Sequence, residues 1–145
     1  MPKHKKIIIS EVIKELKKDS NVVSIIIFGS YLTKKLANDV DLLLVYKRLP
    51  NDWRKRDELA LKIENKVLEK GVSLHITSAT VKEIKFSIKE GAPLMFGLCD
   101  NYKIVYDNDS FFKKEMLAFK GNLKKWKAYK IDKITWEVPA LAIKV

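Results

Sequence analysis

With one cysteine, Cys99, in 145 residues, the chain can form no internal disulfide, and a buried thiol acting as a small hydrophobe is the expected role. A reducing, cytoplasmic setting suits such a chain. Long apolar runs are lacking too. No segment approaches the ~20 apolar residues that span a bilayer, so no membrane association is expected. The start "MPKHKKIIISEVIKEL" is basic and then briefly apolar, but Ser10 and Glu11 end the isoleucine run after three residues, which falls short of a secretion signal. No Pro/Gly/Ser-rich linker, repeat or low-complexity tract divides the chain, and its length suits a single core. Acid is scarce: 18 Asp and Glu face 29 Lys and Arg, a net charge of +11 that favours a polyanionic partner, nucleotide or nucleic acid. Arginine is scarcer still, three against 26 lysines, which argues against a protein that reads bases, where the bidentate guanidinium is the usual tool.

The patterns that are present alternate between helix and strand. Residues 6–18 read as an amphipathic helix with Ile9, Val12, Ile13 and Leu16 on one side. "VVSIIIF", residues 22–28, is a β-branched run bounded by turn signals and hence a buried strand. A short helix over 31–36 capped by Ser30 follows, then a second strand over 40–46. Asp52 is a good N-cap for a helix over 53–70, with Leu59, Ile63 and Val67 as its stripe and Gly71 as its stop. "VSLHIT", 72–77, is a third strand. Thr80 and Glu83 have capping-box spacing for a helix ended by Gly91, and "YKIVYD", 102–107, is a fourth strand. Asp109 or Ser110 would cap a last helix reaching about Lys120. Asp107 and Asp109 have the look of a metal pair, but capping suits them better. Strands separated by helical crossovers imply an α/β (α+β) fold, a twisted mixed sheet flanked by helices. Residues 1–108 are expected to form this sheet domain, and 109–145 a helix and apolar tail within the same globule or forming a docking surface. The tail, "ITWEVPALAIKV", fits either an edge strand or a contact with another subunit, a second copy of this chain included.

The chemistry concentrates in "FGSYLTKKLANDVDLLLV", residues 28–45. Asp39 and Asp41 stand two apart at the head of an apolar strand, so their carboxylates share one face while Val40 and Leu42 turn to the core. Two such groups ~5–7 Å apart repel unless a cation or proton lies between them. Magnesium takes hard oxygen ligands and brings substrate phosphates with it. At Gly29–Ser30 the missing Cβ lets a phosphate approach the backbone, and a helix beginning there aims free N–H groups at it. Strand, phosphate-holding turn and metal-holding strand together describe a site for a nucleoside triphosphate with Mg²⁺. An EF-hand is excluded because Leu42 to Val45 occupy the positions of its later oxygen ligands, and no Walker loop is present.

The order strand, Gly–Ser, short helix, Asp–x–Asp, strand resembles the nucleotidyltransferases of the DNA polymerase β superfamily, in particular their small "minimal nucleotidyltransferase" members, over roughly residues 5–107. The resemblance implies that Gly29 and Ser30 hold the β- and γ-phosphates of a nucleoside triphosphate, ATP by preference. It implies that Asp39 and Asp41 bind two Mg²⁺ ions, and that a nucleoside monophosphate, AMP, passes to an acceptor hydroxyl while pyrophosphate leaves. It also implies a partner, because minimal members often act as the antitoxin beside a HEPN-type RNase, attaching AMP to it or blocking it by binding. Two departures stand out. The interval from Gly29 to Asp39 is short for the family. The family's third carboxylate, on a later strand, is replaced by Ser73 in "VSLHIT". His75, two residues on and on the same face, is the substitute base that the sequence offers, although a partly buried strand histidine with one satisfied nitrogen is the commoner use of such a residue. A separate possibility is RNA binding through "KGNLKKWKAYK", Lys120 to Lys130, whose lysines alternate with Trp126 and Tyr129. The plainer reading is a solvated helix face with both aromatics turned inward.

Overall fold

The computed structural model describes residues 3–32, 39–132 and 135–139. Its frame is a four-stranded mixed sheet in the order β3-β2-β1-β4, made of β1 (Val22–Phe28), β2 (Asp39–Tyr46), β3 (Ser73–Thr80) and β4 (Tyr102–Asp107). β1 is antiparallel to β2 and to β4, whereas β2 and β3 are parallel. A parallel pair needs a long crossover, which α2 (Trp53–Leu68) provides.

Helices cover both faces. α1 (Lys3–Leu16) and α2 pack on the face that carries Ile25, Ile27, Val40, Leu42 and Leu44. Val23, Ile26, Leu43 and Val45 face α3 (Val81–Glu90), α4 (Pro93–Asp100) and α5 (Phe111–Lys125). Burial on both sides is why the two central strands read as nearly continuous apolar runs instead of alternating ones. The twisted mixed sheet with flanking helices is the fold expected from the sequence.

Several elements differ in detail. α2 begins at its Asp52 cap, whose carboxylate accepts from the Arg54 N–H at 2.9 Å. Its inner stripe is thinner than the periodicity suggests: Val67 is buried and Ile63 partly so, but Leu59 is 46 % exposed. α2 instead reaches the sheet edge through Glu64, which accepts from the Ile76 N–H at 2.8 Å and so occupies a donor of the outer strand. Thr80 and Glu83 form the capping box, and Gly91 ends α3 with φ 69°. α4 has no counterpart among the elements that the sequence pattern marks. It is eight residues long, starts at Pro93 and contains Gly97, a length and composition below what periodicity detects.

α5 continues past Gly121 to Lys125. A Cβ at Gly121 would meet nothing within 4 Å, so the glycine marks open surface rather than a stop. Ser110 occupies the N-cap position of α5, as expected, but its side chain makes no capping bond; Asp109 and Ser110 adopt left-handed φ, 54° and 55°. The side-chain capping bonds come from the Asp107 carboxylate, which accepts from the Phe112 and Lys113 N–H groups at 2.8 and 2.9 Å and from the Ser24 hydroxyl at 2.6 Å. The remaining described chain forms a two-stranded ribbon, β5 (Tyr129–Lys130) with β6 (Trp136–Glu137). The expected helix over 31–36 is seen as a 3-10 turn at Ser30–Leu32, and its later part lies outside the described residues. Most of the apolar tail, residues 134 and 140–145, lies outside them as well.

Candidate active site at the end of the sheet

β1 leaves the sheet at Phe28, and the chain turns at Gly29 with φ +82°. The Leu32 N–H closes the turn on the Gly29 carbonyl at 3.2 Å. Tyr31 and Leu32 pack against the core beneath α1 and α2, and burial raises the Tyr31 phenol above its ordinary pKa. The turn is therefore anchored by its own side chains.

On the next strand the pleat does the sorting. Val40 and Leu42 are fully buried on one face, so Asp39 and Asp41 project from the other, Asp39 exposed and Asp41 half-buried. Register sets Asp41 opposite Phe28, immediately before the turn. Its carboxylate lies over Gly29, and a methyl group placed there would come 2.5 Å from Asp41 Oδ2. Gly29 is thus required twice, by its backbone conformation and by the carboxylate beside it. Among the described residues, neither aspartate has a hydrogen-bond donor or an ion-pair partner. Two uncompensated carboxylates on one face form a hard-oxygen donor set that fits Mg²⁺. No group of three or more His, Cys, Asp and Glu that could hold a metal occurs among the described residues. Water and substrate phosphate would have to complete the shell.

Parallel pairing with β3 places Ser73 opposite Asp39 and His75 opposite Asp41. Leu74 between them is buried, while Ser73 and His75 are exposed on the face of the aspartates. The structure therefore brings Gly29, Ser30, Asp39, Asp41, Ser73 and His75 to one end of the sheet. A residue that the sequence did not single out joins them. Asn101, the C-cap of α4, extends its Nδ2 to within 3.4 Å of the Gly29 carbonyl. No local pattern marks it; the β1–β4 register, which pairs Phe28 with Tyr102, carries it there.

The lysine-rich stretch resolves into two parts. Lys120 to Lys125 belong to α5, and Trp126 is 5 % exposed, packed against Phe96 and Phe119. Tyr129 is 54 % exposed, and Lys130 pairs with Asp100 at 3.0 Å. One aromatic is thus in the core and one at the surface.

Residues 10–97 match the family model described as "Polymerase beta, Nucleotidyltransferase". A curated relative from Methanocaldococcus jannaschii, named "Putative protein adenylyltransferase MJ1305", is 33 % identical over 114 residues, 77 % of each chain. Among solved structures, a chain of the tri-AMPylated Shewanella oneidensis HEPN toxin in complex with MNT antitoxin superposes with a TM-score of 0.55 at 15 % identity, covering 83 % of this chain and 87 % of that one. A chain of the toxin–antitoxin MntA–HepT gives 0.51 at 15 % identity, covering 84 % and 92 %. At these identities the structural likeness is one of fold. No helix among the described residues is long and apolar enough to cross a membrane. The family match across most of the chain and the identity to the archaeal relative give the assignment: this chain belongs to the polymerase beta nucleotidyltransferase family.

Proposed function

We propose that the chain is a protein adenylyltransferase that binds ATP with Mg²⁺ at Gly29, Ser30, Asp39 and Asp41 and transfers AMP to a hydroxyl of a partner protein of HEPN type. The observation that carries this reading is the pair of carboxylates on one face of β2, without a partner among the described residues, with Asp41 beside Gly29. The relative named an adenylyltransferase supports AMP as the group transferred, and the AMPylated toxin bound to an antitoxin of this fold supports a protein acceptor.

Asp39 and Asp41 would hold the metal, which when bound neutralises phosphate charge and stabilises the pentavalent transition state. The Gly29 turn lets the triphosphate approach the main chain, and Ser30 supplies an N–H and a hydroxyl to phosphate oxygens. The acceptor oxygen attacks the α-phosphorus, a new P–O bond forms, and the bond to pyrophosphate breaks. The hydroxyl proton must go somewhere. Ser73 is no base, whereas the imidazole of His75, in register with Asp41, is the group that would take it.

A second reading has one observation in its favour. The residue opposite Asp39 is a serine, so a site that binds nucleotide but turns over poorly would act by occupying its partner. Transfer of label from α-labelled ATP to a co-expressed HEPN-type protein separates the two. Label transfer lost in Asp39→Asn and Asp41→Asn supports catalysis. A stable complex without label, with a thermal shift by Mg-ATP that both variants lose, supports binding alone. An equal shift in wild type and both variants removes the site altogether. Affinity for RNA that falls steeply with salt and survives both substitutions would instead place function at Lys120 to Lys130.

A further inference from the structure

We infer that Asn101 is a positioning residue for the phosphate turn, holding the Gly29–Ser30 peptide in the orientation that presents the Ser30 N–H to the triphosphate. The inference rests on the proposed nucleotide site and adds to it a residue that neither the family motif nor the site's own strands contain.

Gly29 sits between two neighbours. On one side β2 brings the Asp41 carboxylate over its α-carbon. On the other, β4 pairs Tyr102 with Phe28, so the next step of that register sets Asn101 opposite Gly29. The Gly29 carbonyl is an acceptor without a proton, so the Asn101 side chain must turn its amide nitrogen toward it, and that contact is 3.4 Å. The same oxygen accepts the Leu32 N–H at 3.2 Å. A carbonyl held by two donors cannot swing freely.

The consequence passes through the peptide bond. In a planar trans peptide the carbonyl of one residue and the N–H of the next point in opposite directions. Fixing the Gly29 carbonyl toward Asn101 therefore fixes the Ser30 N–H away from β4. β2, with Asp39 and Asp41, lies on that other side of β1. A glycine at φ +82° has little intrinsic preference between this arrangement and its flipped alternatives, so the selection is shared between the Leu32 N–H inside the turn and the Asn101 amide outside it.

Asn101 is itself well mounted. Its own N–H closes the end of α4 on the Leu98 carbonyl at 3.2 Å. The preceding Asp100 is ion-paired with Lys130 at 3.0 Å. A short polar side chain on so fixed a backbone can act as a strut, and it reaches the turn across a sequence separation of 72 residues.

The test compares wild type with Asn101→Ala and with Asn101→Asp, which keeps the shape but puts an acceptor where the donor was. The probe is α,β-methylene-ATP with Mg²⁺, which cannot be cleaved at the α–β bond, and the readouts are calorimetric affinity and the Ser30 amide resonance. Loss of one such bond is expected to weaken binding about two- to tenfold in Asn101→Ala, and more in Asn101→Asp. The Ser30 amide should respond to the probe in wild type and respond less in the variants, while their unfolding midpoints stay near that of wild type. Probe affinity unchanged in both variants overturns the role of Asn101 and leaves the nucleotide site standing. Absence of binding by wild type overturns both. Weaker binding matched by a proportionate fall in unfolding midpoint, with the Ser30 response intact, overturns positioning in favour of a general packing role.

Discussion

Replacing Gly29 with alanine tests the geometry of the site more sharply than removing an aspartate, because Gly71 provides an internal control. Both glycines adopt left-handed backbone, φ +82° and +87°. An L-residue there costs about 1–2 kcal/mol, partly offset by about 0.4–1 kcal/mol from the stiffer unfolded chain. Each variant should therefore lose about 1 kcal/mol, a fall of about 2–5 °C in unfolding midpoint for a chain of this size. The surroundings then separate them. A Cβ on Gly71 meets nothing within 4 Å, whereas on Gly29 it lies 2.5 Å from Asp41 Oδ2 and 3.4 Å from its Cγ. The obstacle is the end of a half-buried side chain, so the carboxylate can rotate away without unfolding anything. It then no longer stands where it faces the turn. Losing one charge-assisted contact of about 1.5–3 kcal/mol corresponds to about ten- to 150-fold in affinity. Calorimetry of Mg-ATP on the two variants beside wild type is the assay. Gly71→Ala should bind as wild type does; Gly29→Ala should bind at least about tenfold more weakly at equal stability. Equal affinity in both variants would show that the Asp41 carboxylate, where the structure places it, takes no part in binding.

Two further outcomes concern the frame around the site. Asp107→Ala removes the cap of α5 and the partner of the fully buried Ser24 hydroxyl, and should destabilise the fold by about 2–3 kcal/mol in urea titrations. Its affinity for Mg-ATP should be unchanged; a fall would revive a ligand role for this carboxylate. Burial opposes ionisation of Glu83, but the Thr80 backbone bond and the Arg56 guanidinium outweigh it and hold the carboxyl below its ordinary value. A depressed folded-state pKa gives stability that is present above the unfolded value, about 4.3, and is lost as pH falls through the folded one. Arg56 donates to both Glu83 oxygens at 2.9 Å and to the Pro50 carbonyl at 2.7 Å. Arg56→Ala should cost about 2 kcal/mol at neutral pH, less than a fully buried pair because Glu83 is 38 % exposed. It should also flatten the loss of urea stability on acidification below about pH 5, and an unchanged acid limb would remove the pair from the account.

What could be read from the sequence, and what could not, divides by distance along the chain. Gly29, Ser30, Asp39 and Asp41 lie within thirteen residues of one another, and strand period plus glycine chemistry place them without knowledge of the rest. The capping box at Thr80 and Glu83 is local too, and it formed. At α5 local pattern finds the N-cap position, Ser110, but not the side chain that makes the capping bonds, because the nearest polar residues, Asp109 and Ser110, are the natural choice. The acid used is Asp107, four residues before Phe111, held in place by Ser24 across a separation of 83 residues. Asn101 was invisible for the same reason, its neighbour Gly29 being a strand pairing away. Leu59 has the helical period yet lies at the surface, because a helix beside an edge strand buries a narrower stripe than one at the centre of a sheet, and periodicity reports the period but not the width.

The same division bears on how the site works. Local sequence supplies the charged and flexible parts, two carboxylates that repel and a glycine with several available orientations. Each is unfavourable or undecided alone. The long-range pairings make them definite: β2 against β1 presses Asp41 over Gly29, β4 against β1 sets Asn101 behind it, and β3 against β2 lays Ser73 and His75 alongside the aspartates. A site assembled in this way is complete only when all four strands are in register. Perturbing β4 at the end that adjoins the turn, where Tyr102 pairs with Phe28 and far from Asp107, should therefore weaken nucleotide binding before it unfolds the sheet, because the turn depends on that pairing for its orientation and on β1 and β2 for its existence.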